Sequence, residues 1–488
     1  MPPLQTSSIR KESTAQSMIS RDHSEVNVNP SANYDPNKMV CILSIDGGGV
    51  RGIIPAIILA FLEEELQYLE KNNGPVANSM PRESMVEEYF ELKVGSNTKS
   101  ESRSSTQSIE DASRRQKARI ADYFDVVAGT STGSIVASML TIPDDSNPPR
   151  PRYTAFDIID CYLKDSQRIF SEDSKIAEQR IKSSKTEVSS FWNGLKEFGR
   201  RVVSYARDKL TKPFYDPEEL KKVVNERAGN ISLAQTVKPL LIPSYSMDKL
   251  QPHIFSTELV VMERQEKLPL ADVVLSSTAA PIYFPAHSFN IDDKTYEFSD
   301  GGVAAANNPA LIAIGEVAKN GGQVANFSNC LLLSLGTGQP RQEVQAKRVK
   351  PAYDGGFLNW LMPGAGRGLT PPIIDILFDS MSFMVDIYLA RIFRGFNNYL
   401  RIQEYELDEE LIDMDVASLD NLHKLGKTAI DLMKKPMSAI DPDTIGIDKS
   451  DDHPTYRQSM QEFAEKLWRE RKRRNMKGSV RSLTLKRT

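Results

Sequence analysis

A chain of 488 residues with 40% hydrophobic content can bury one large core or two ordinary ones. Its formal net charge of −4 and pI near 5.9 give no whole-molecule attraction for polyanions, so nucleic acid is not expected as a partner and any basic function must be local. Three cysteines, Cys41, Cys161 and Cys330, lack CxxC or Cys/His ligand spacing, which predicts buried thiols and neither a disulfide framework nor a zinc site.

In chain order, residues 1–38 are rich in Ser, Asn, Pro and charge, too polar to offset the entropy of ordering, and read as a disordered tail. They contain no apolar stretch of secretory-signal length, and no later segment offers about 18 consecutive apolar residues. The expectation is a cytoplasmic protein that meets a membrane only from its surface. MVCILSI (Met39 to Ile45) then reads as a buried strand, DGGGVRG as a glycine loop and IIPAIILAFLEEELQYLEK as a helix with Pro55 in its first turn. The stretch 74–118, dense in Ser and charge over Lys93 to Gln116, is expected to be a flexible insertion. A second strand, Phe124 to Val127, runs through Gly129-Thr130-Ser131-Thr132-Gly133 into a helix over Ser134 to Leu140. VKPLLIPSYS and PHIFST read as strands, LADVVLSSTAAPIYFPAH as helix and loop, and YEFSDGGVAAANNPALIAIGEVAK as strand, glycine turn and helix; CLLLSLGTG adds a buried strand. Alternating strands and helices imply an α/β fold with a mostly parallel central sheet flanked by helices, whose glycine turns meet at one edge. Beyond about residue 340 the pattern is mainly helical to 465. The segment 466–488 carries ten Lys and Arg against one Glu and reads as a basic tail.

The glycine turns carry the chemistry. In GTSTG, Gly129 and Gly133 flank Ser131, as a nucleophile on a strand-to-helix turn requires, although the same residues also build ordinary turns. DGGGVRG admits two readings. Gly47, Gly49 and Gly52 match GxGxxG, which would hold a dinucleotide pyrophosphate, with Glu63 to Glu65 and Glu70 sought as ribose ligands; alternatively the N–H groups of Gly47, Gly48 and Gly49 would bind the oxyanion of a tetrahedral intermediate. Arg51 fits a loop-orienting role, an anionic head group or plain structure. For the base, His23, His253, His423 and His453 have no supporting motif; His287 and Asp300, the head of Asp300-Gly301-Gly302, stay open.

Taken together, DGGGVRG, GTSTG and DGG in this order, with FDVVAGTSTG and STAAPIYFPAH between them, closely resemble the plant patatins and patatin-like phospholipases from about Met39 to Gly338. The resemblance implies a lipid acyl hydrolase on a patatin-like fold with a Ser131–Asp300 dyad, an oxyanion hole at Gly47, Gly48 and Gly49, and support from Asp46, Arg51, Gly52, Gly129, Gly133, Gly301 and Gly302. It implies membrane phospholipids or galactolipids as substrates, an acyl-enzyme, and no cofactor or metal. A storage-type protein that keeps the motifs is the alternative, ahead of a dinucleotide-binding oxidoreductase. The implied organisation is a catalytic domain over 39–340, a helical part over 341–465 packed on it, and the basic tail. That tail is either a solvated segment or an electrostatic anchor to anionic lipid, with Ser479 and Ser482 as candidate kinase targets.

Overall fold

The computed structural model describes residues 39–76, 84–95, 101–115, 118–171, 213–262, 267–319, 327–353, 360 and 372–485. The polar segment 1–38 and His23 within it lie outside these residues.

Strand β1 (Val40–Ile45) is buried at all positions. A 3₁₀ turn (Gly49–Gly52) leads from it into α1 (Ile53–Asn72), whose burial on most of its circumference matches its apolar sequence. Helices α2 (Met85–Gly95) and α3 (Glu101–Arg115) follow. Over 85–95 and 101–115 they stand where a flexible insertion was expected across 74–118; residues 77–83, 96–100, 116 and 117 of that stretch lie outside the described residues. Val86, Tyr89 and Phe90 are buried, Tyr89 packs edge-on against Phe156 with ring centres 4.6 Å apart, and Lys93 bridges Glu110 and Asp160 at 2.8 and 3.0 Å. The few apolar residues in this stretch find partners far along the chain, which local composition does not reveal.

Strand β2 (Val126–Gly129), α4 (Thr132–Thr141), α5 (Ala155–Ile169) and α6 (Pro217–Ala228) come next. After them run β3 (Leu240–Ser246), β4 (Gln251–Ser256), α7 (Thr257–Met262) and α8 (Leu270–Thr278). Then come β5 (His287–Ile291), β6 (Lys294–Asp300), α9 (Ala310–Lys319) and β7 (Cys330–Leu335). The remainder holds α10 (Gln342–Tyr353), α11 (Pro372–Ile392), β8 (Tyr399–Ile402), α12 (Leu419–Leu432) and α13 (Tyr456–Leu485).

Eight strands form one sheet in the order β5-β6-β3-β2-β1-β7-β8, with β4 paired to the other edge of β3. Pairings from β3 through β2, β1 and β7 to β8 are parallel; the pairings of β3 with β4, β3 with β6 and β6 with β5 are antiparallel. This is the expected α/β class. Side chains alternate between two apolar layers. Cys41, Leu43, Ile45, Leu331, Leu333 and Leu335 face the layer containing α1, α4 and α5, whereas Val40, Ile42, Cys330 and Leu332 face Ala313 of α9 and Leu389 of α11. The three cysteines are buried and free.

The basic C-terminal segment differs from the tail expected after Lys466. Leu467 is fully buried, and α13 continues through the cationic run. Arg471 reaches Glu70 and Asp122 and lies over the Tyr123 ring, Lys472 pairs with Glu70, and Arg474 bridges Asp125 at 2.8 Å. Sequence composition counted the cations but not the acidic wall opposite them. The side chains of Ser479 and Ser482, like Lys477 and Arg481, lie outside the described residues. No helix among the described residues is long and apolar enough to cross a membrane.

Candidate active site

The parallel strands β1, β2, β7 and β8 end at one edge of the sheet, and the loops leaving them meet there. Ser131 lies between β2 and α4 with φ 53° and ψ −128°, a strained conformation for a residue with a side chain. A serine at a helix start ordinarily caps it; here the hydroxyl makes no capping bond and so is available to the cavity. Several contacts fix the turn. The Ser131 N–H donates to Ser277 Oγ at 3.0 Å, and that hydroxyl donates to the Pro243 carbonyl at 2.7 Å. Thr130 Oγ1 donates to the Ala306 carbonyl at 2.6 Å. A Cβ on Gly133 would stand 2.5 Å from the Ile45 carbonyl oxygen and 2.6 Å from that of Asp46, so only glycine lets α4 pass this close to the end of β1.

Asp300 closes β6, 2% exposed. Its Oδ1 accepts the Gly302 N–H at 2.7 Å, while the buried Oδ2 has no hydrogen-bond partner. Burial pushes its pKa up to about 6, opposed by the Ser131 side chain and the Gly302 N–H. The serine hydroxyl is thus within polar reach of the carboxylate without a bond of accepted geometry to Oδ2, a separation common in unliganded catalytic pairs.

The third piece is the loop after β1. Its donors are not equivalent. Gly47 N–H is engaged by the Asn307 carbonyl at 3.2 Å, which corrects the expectation that it serves an oxyanion. Among the described residues no acceptor is recorded for Gly48 N–H or Gly49 N–H, and these two remain as donors. The Gly47 carbonyl is held by Thr337 Oγ1 at 2.9 Å, and Val50 N–H by the Met414 carbonyl at 2.8 Å. Arg51 donates to the Gly338 carbonyl at 3.2 Å, tying the loop to the β7–β8 connection.

Ser131, Asp300, Asp46, Gly47, Gly48, Gly49 and Arg51 all line one cleft of about 850 Å³, counted to its open mouth. Ile169, Phe170, Leu220, Tyr283 and Phe284 make one apolar wall, and Phe378 and Met414 stand elsewhere on the lining. Gly52, Gly129, Gly301 and Gly302 do not line it; they let chain segments approach, Gly52 against the Tyr162 hydroxyl and Gly302 against Phe378. Ser277, Asn307 and Thr337 were not singled out from sequence. Only the STAAP and NN stretches beside the motifs hinted at the first two.

None of the histidines among the described residues lines the cleft. His287 pairs with Asp272 at 2.9 Å, His253 packs against Phe255 and Phe298, His423 stacks on Phe90, and His453 meets the Met437 carbonyl. The acidic cluster is likewise occupied within the fold. Glu63 accepts the Ala155 N–H, Glu64 accepts from Ser84 and Met85, and Glu70 takes Tyr123 and Arg471. None of Glu63, Glu64, Glu65 and Glu70 lines the cleft that the Gly47-Gly48-Gly49 loop borders, and the dinucleotide reading loses the ribose ligands sought for it.

A family model described as patatin-like phospholipase matches residues 111–314. Patatin-like protein 2 of Arabidopsis thaliana is 35% identical over 426 residues, covering 83% of this chain and 86% of its own length. Patatin-like protein 2 of Oryza sativa subsp. japonica is 33% identical over 91% of this chain and 96% of its own, and Patatin-04/09 of Solanum tuberosum 30% identical over 91% and 93%. Among solved structures, VipD from Legionella pneumophila aligns with a TM-score of 0.31 and 14% identity over 81% of this chain and 67% of that one, a likeness too slight to argue from.

Proposed function

This chain belongs to the patatin-like phospholipase family, and from that premise we propose that it hydrolyses fatty acyl esters of membrane phospholipids and galactolipids with Ser131 as nucleophile and Asp300 as general base. The observation that carries the reading is the convergence in one cleft of a strained, uncapped serine, a buried carboxylate with a vacant oxygen, and two N–H groups with no recorded acceptor.

In this reading Ser131 Oγ attacks the ester carbonyl while Asp300 Oδ2 takes its proton. The carbonyl oxygen becomes an oxyanion opposite the Gly48 and Gly49 N–H groups, which are fixed before reaction and so cost no reorganisation. Collapse of the intermediate expels the lipid alcohol, protonated by Asp300, and leaves an acyl ester on Ser131. Asp300 then accepts a proton from water as that water attacks the ester, and returns it to Ser131 Oγ as the bond from the acyl carbon to Oγ breaks and the fatty acid departs. The aromatic wall of Phe170, Tyr283 and Phe284 suits the acyl chain. Contact with the membrane is peripheral in this reading. Three cations of the C-terminal segment, Arg471, Lys472 and Arg474, already face acidic partners, which weakens its claim as an anchor.

The test is free fatty acid released from mixed phosphatidylcholine, galactolipid and triacylglycerol micelles. Wild type should release acid, Ser131→Ala should lose at least about 10³-fold and Asp300→Asn nearly as much, with the fold retained. Undiminished release by Ser131→Ala would overturn the mechanism. Release by none of the three would favour a non-catalytic, storage-type protein.

A further inference from the structure

The α9/α11 side of the sheet is apolar along Val40, Ile42, Cys330 and Leu332, then turns polar at its C-terminal edge. Ser44 of β1, Ser334 of β7 and Arg401 of β8 stand in register across three neighbouring strands. The two serines are fully buried, and the Arg401 guanidinium reaches from β8 past Ser334 to the end of β1. Its Nη2 donates to Asp46 Oδ2 at 2.7 Å, its Nη1 to Ser334 Oγ at 2.9 Å, and its Nε lies 3.1 Å from Asp386 Oδ1 on α11. Asn308 Nδ2 also donates to Asp386 Oδ1, at 3.1 Å. All three charged side chains are 6% exposed or less.

A buried ion cluster of this kind is a poor stabiliser, because desolvation offsets most of the Coulombic gain. Two carboxylates against one guanidinium make it poorer, and burial pushes both Asp46 and Asp386 upward, the latter to about 7. Stability alone therefore does not account for it. Its position does suggest a use: Asp46 is the residue immediately before Gly47-Gly48-Gly49, and its carboxylate is held from the sheet interior while its N–H is held by the Leu335 carbonyl at 3.0 Å.

We propose that Arg401 is a positioning residue for the oxyanion loop, acting through Asp46 to fix where the Gly48 and Gly49 N–H groups point. This rests on the reading of Ser131 and that loop given above. Donors aimed at an oxyanion must hold position closely, and a shift of about 1 Å costs on the order of 10²-fold in rate. Asp386 belongs to the same cluster but not to the loop. It supplies the internal comparison.

The experiment measures the rate at which a fluorophosphonate ester phosphonylates Ser131, with the adduct located by peptide mass, alongside kcat and KM for a p-nitrophenyl acyl ester. Asp46→Ala leaves Arg401 with Asp386, and Asp386→Asn leaves it with Asp46, so each retains one buried ion pair. Arg401→Met, Asp46→Ala and their double variant should each lose about 10- to 100-fold in labelling rate and kcat, by similar factors, with KM within about threefold. Asp386→Asn should stay within about threefold of wild type. Should Arg401→Met not fold, Arg401→Lys, whose ammonium lacks the fork that reaches both carboxylates, takes its place with an expected loss of at least about fivefold. A wild-type rate in the folded Arg401 variant, additive losses in the double variant, or equal losses in Asp386→Asn would overturn the proposal. A wild-type adduct on a residue other than Ser131 would instead overturn the reading beneath it.

Discussion

In the proposed mechanism Asp300 serves as the base, in surroundings that make it a better one than an exposed aspartate. Burial raises it to about 6, and only the ionised form can take the Ser131 proton. The rate should therefore rise with pH through about 6 and level off above, measured as kcat/KM against pH on a soluble ester. A profile flat down to pH 4.5 would contradict Asp300 as the base. A second buried carboxyl reports on stability instead of rate. Glu63, on α1, accepts the Ala155 N–H at the start of α5, and burial pushes it from 4.5 to about 7. A folded-state pKa above the unfolded value means that the folded protein binds the extra proton. The stabilisation is complete below about pH 4.5 and is lost as pH rises through 7, a few kcal/mol in all. Glu63→Gln, which carries the neutral form permanently, should show a smaller fall in Tm between pH 5 and 8 than wild type does; parallel curves would assign the pH dependence to other groups.

The turn from β2 into α4 is where an element's geometry and the chemistry coincide. Motif spacing made Gly129, Ser131 and Gly133 legible, and short apolar runs bounded by turns made β1, β2, β3, β4, β6 and β7 legible as strands. Two strands escaped. β8 is only YLRI, and its central Arg401 conceals a buried position because the residues that receive its charge, Asp46 and Asp386, come from distant parts of the chain. β5 was not read as a strand: only its first residue, His287, fell in the stretch ending PIYFPAH, and the alternation over Ser288 to Ile291 is too short to stand out. At the turn itself, Gly133→Ala should push α4 off the Ile45 and Asp46 carbonyls, cost about 1–3 kcal/mol and lower kcat more than it raises KM. Thermal melts and ester kinetics on the one variant check both effects, and an unchanged Tm would show the close approach to be dispensable. At the other end of the chain, termination after Leu467 removes the contacts of Arg471 and Arg474 with Glu70, Asp122 and Asp125. Those part-exposed pairs are worth about 1 kcal/mol or less apiece, and Trp468, packed against the core, is lost with them, so the shortened chain should melt several degrees lower. Weaker vesicle binding by such a chain must be compared at matched stability before it speaks for an anchor.

Across the whole molecule, the sheet brings together sequence positions that are remote along the chain: the loop at residue 47, the serine at 131, the carboxylate at 300, Thr337, and Arg401 behind them. Order and spacing of the glycine motifs were enough to expect the first three at one edge; parallel strands deliver the loop at 47 and the serine at 131 there, whereas Asp300 arrives on β6, which runs antiparallel to β3. What holds them was not legible. Asn307, Thr337 and Arg401 sit in none of the three glycine motifs, Ser277 only heads the STAAPIYFPAH stretch, and their roles come from hydrogen bonds closed over hundreds of residues. The same limit explains α2, α3 and α13, whose composition suggested freedom while their partners lay elsewhere in the fold. The central claim is that one serine forms an acyl-enzyme, and the most direct measurement is the pre-steady-state release of p-nitrophenol from a long-chain p-nitrophenyl ester under conditions where deacylation is slow. The account predicts a burst of one equivalent per chain in wild type, with acyl mass on the peptide containing Ser131, and no burst in Ser131→Ala or Asp300→Asn. A burst that persists in Ser131→Ala, or acyl mass found on any other residue, would contradict it.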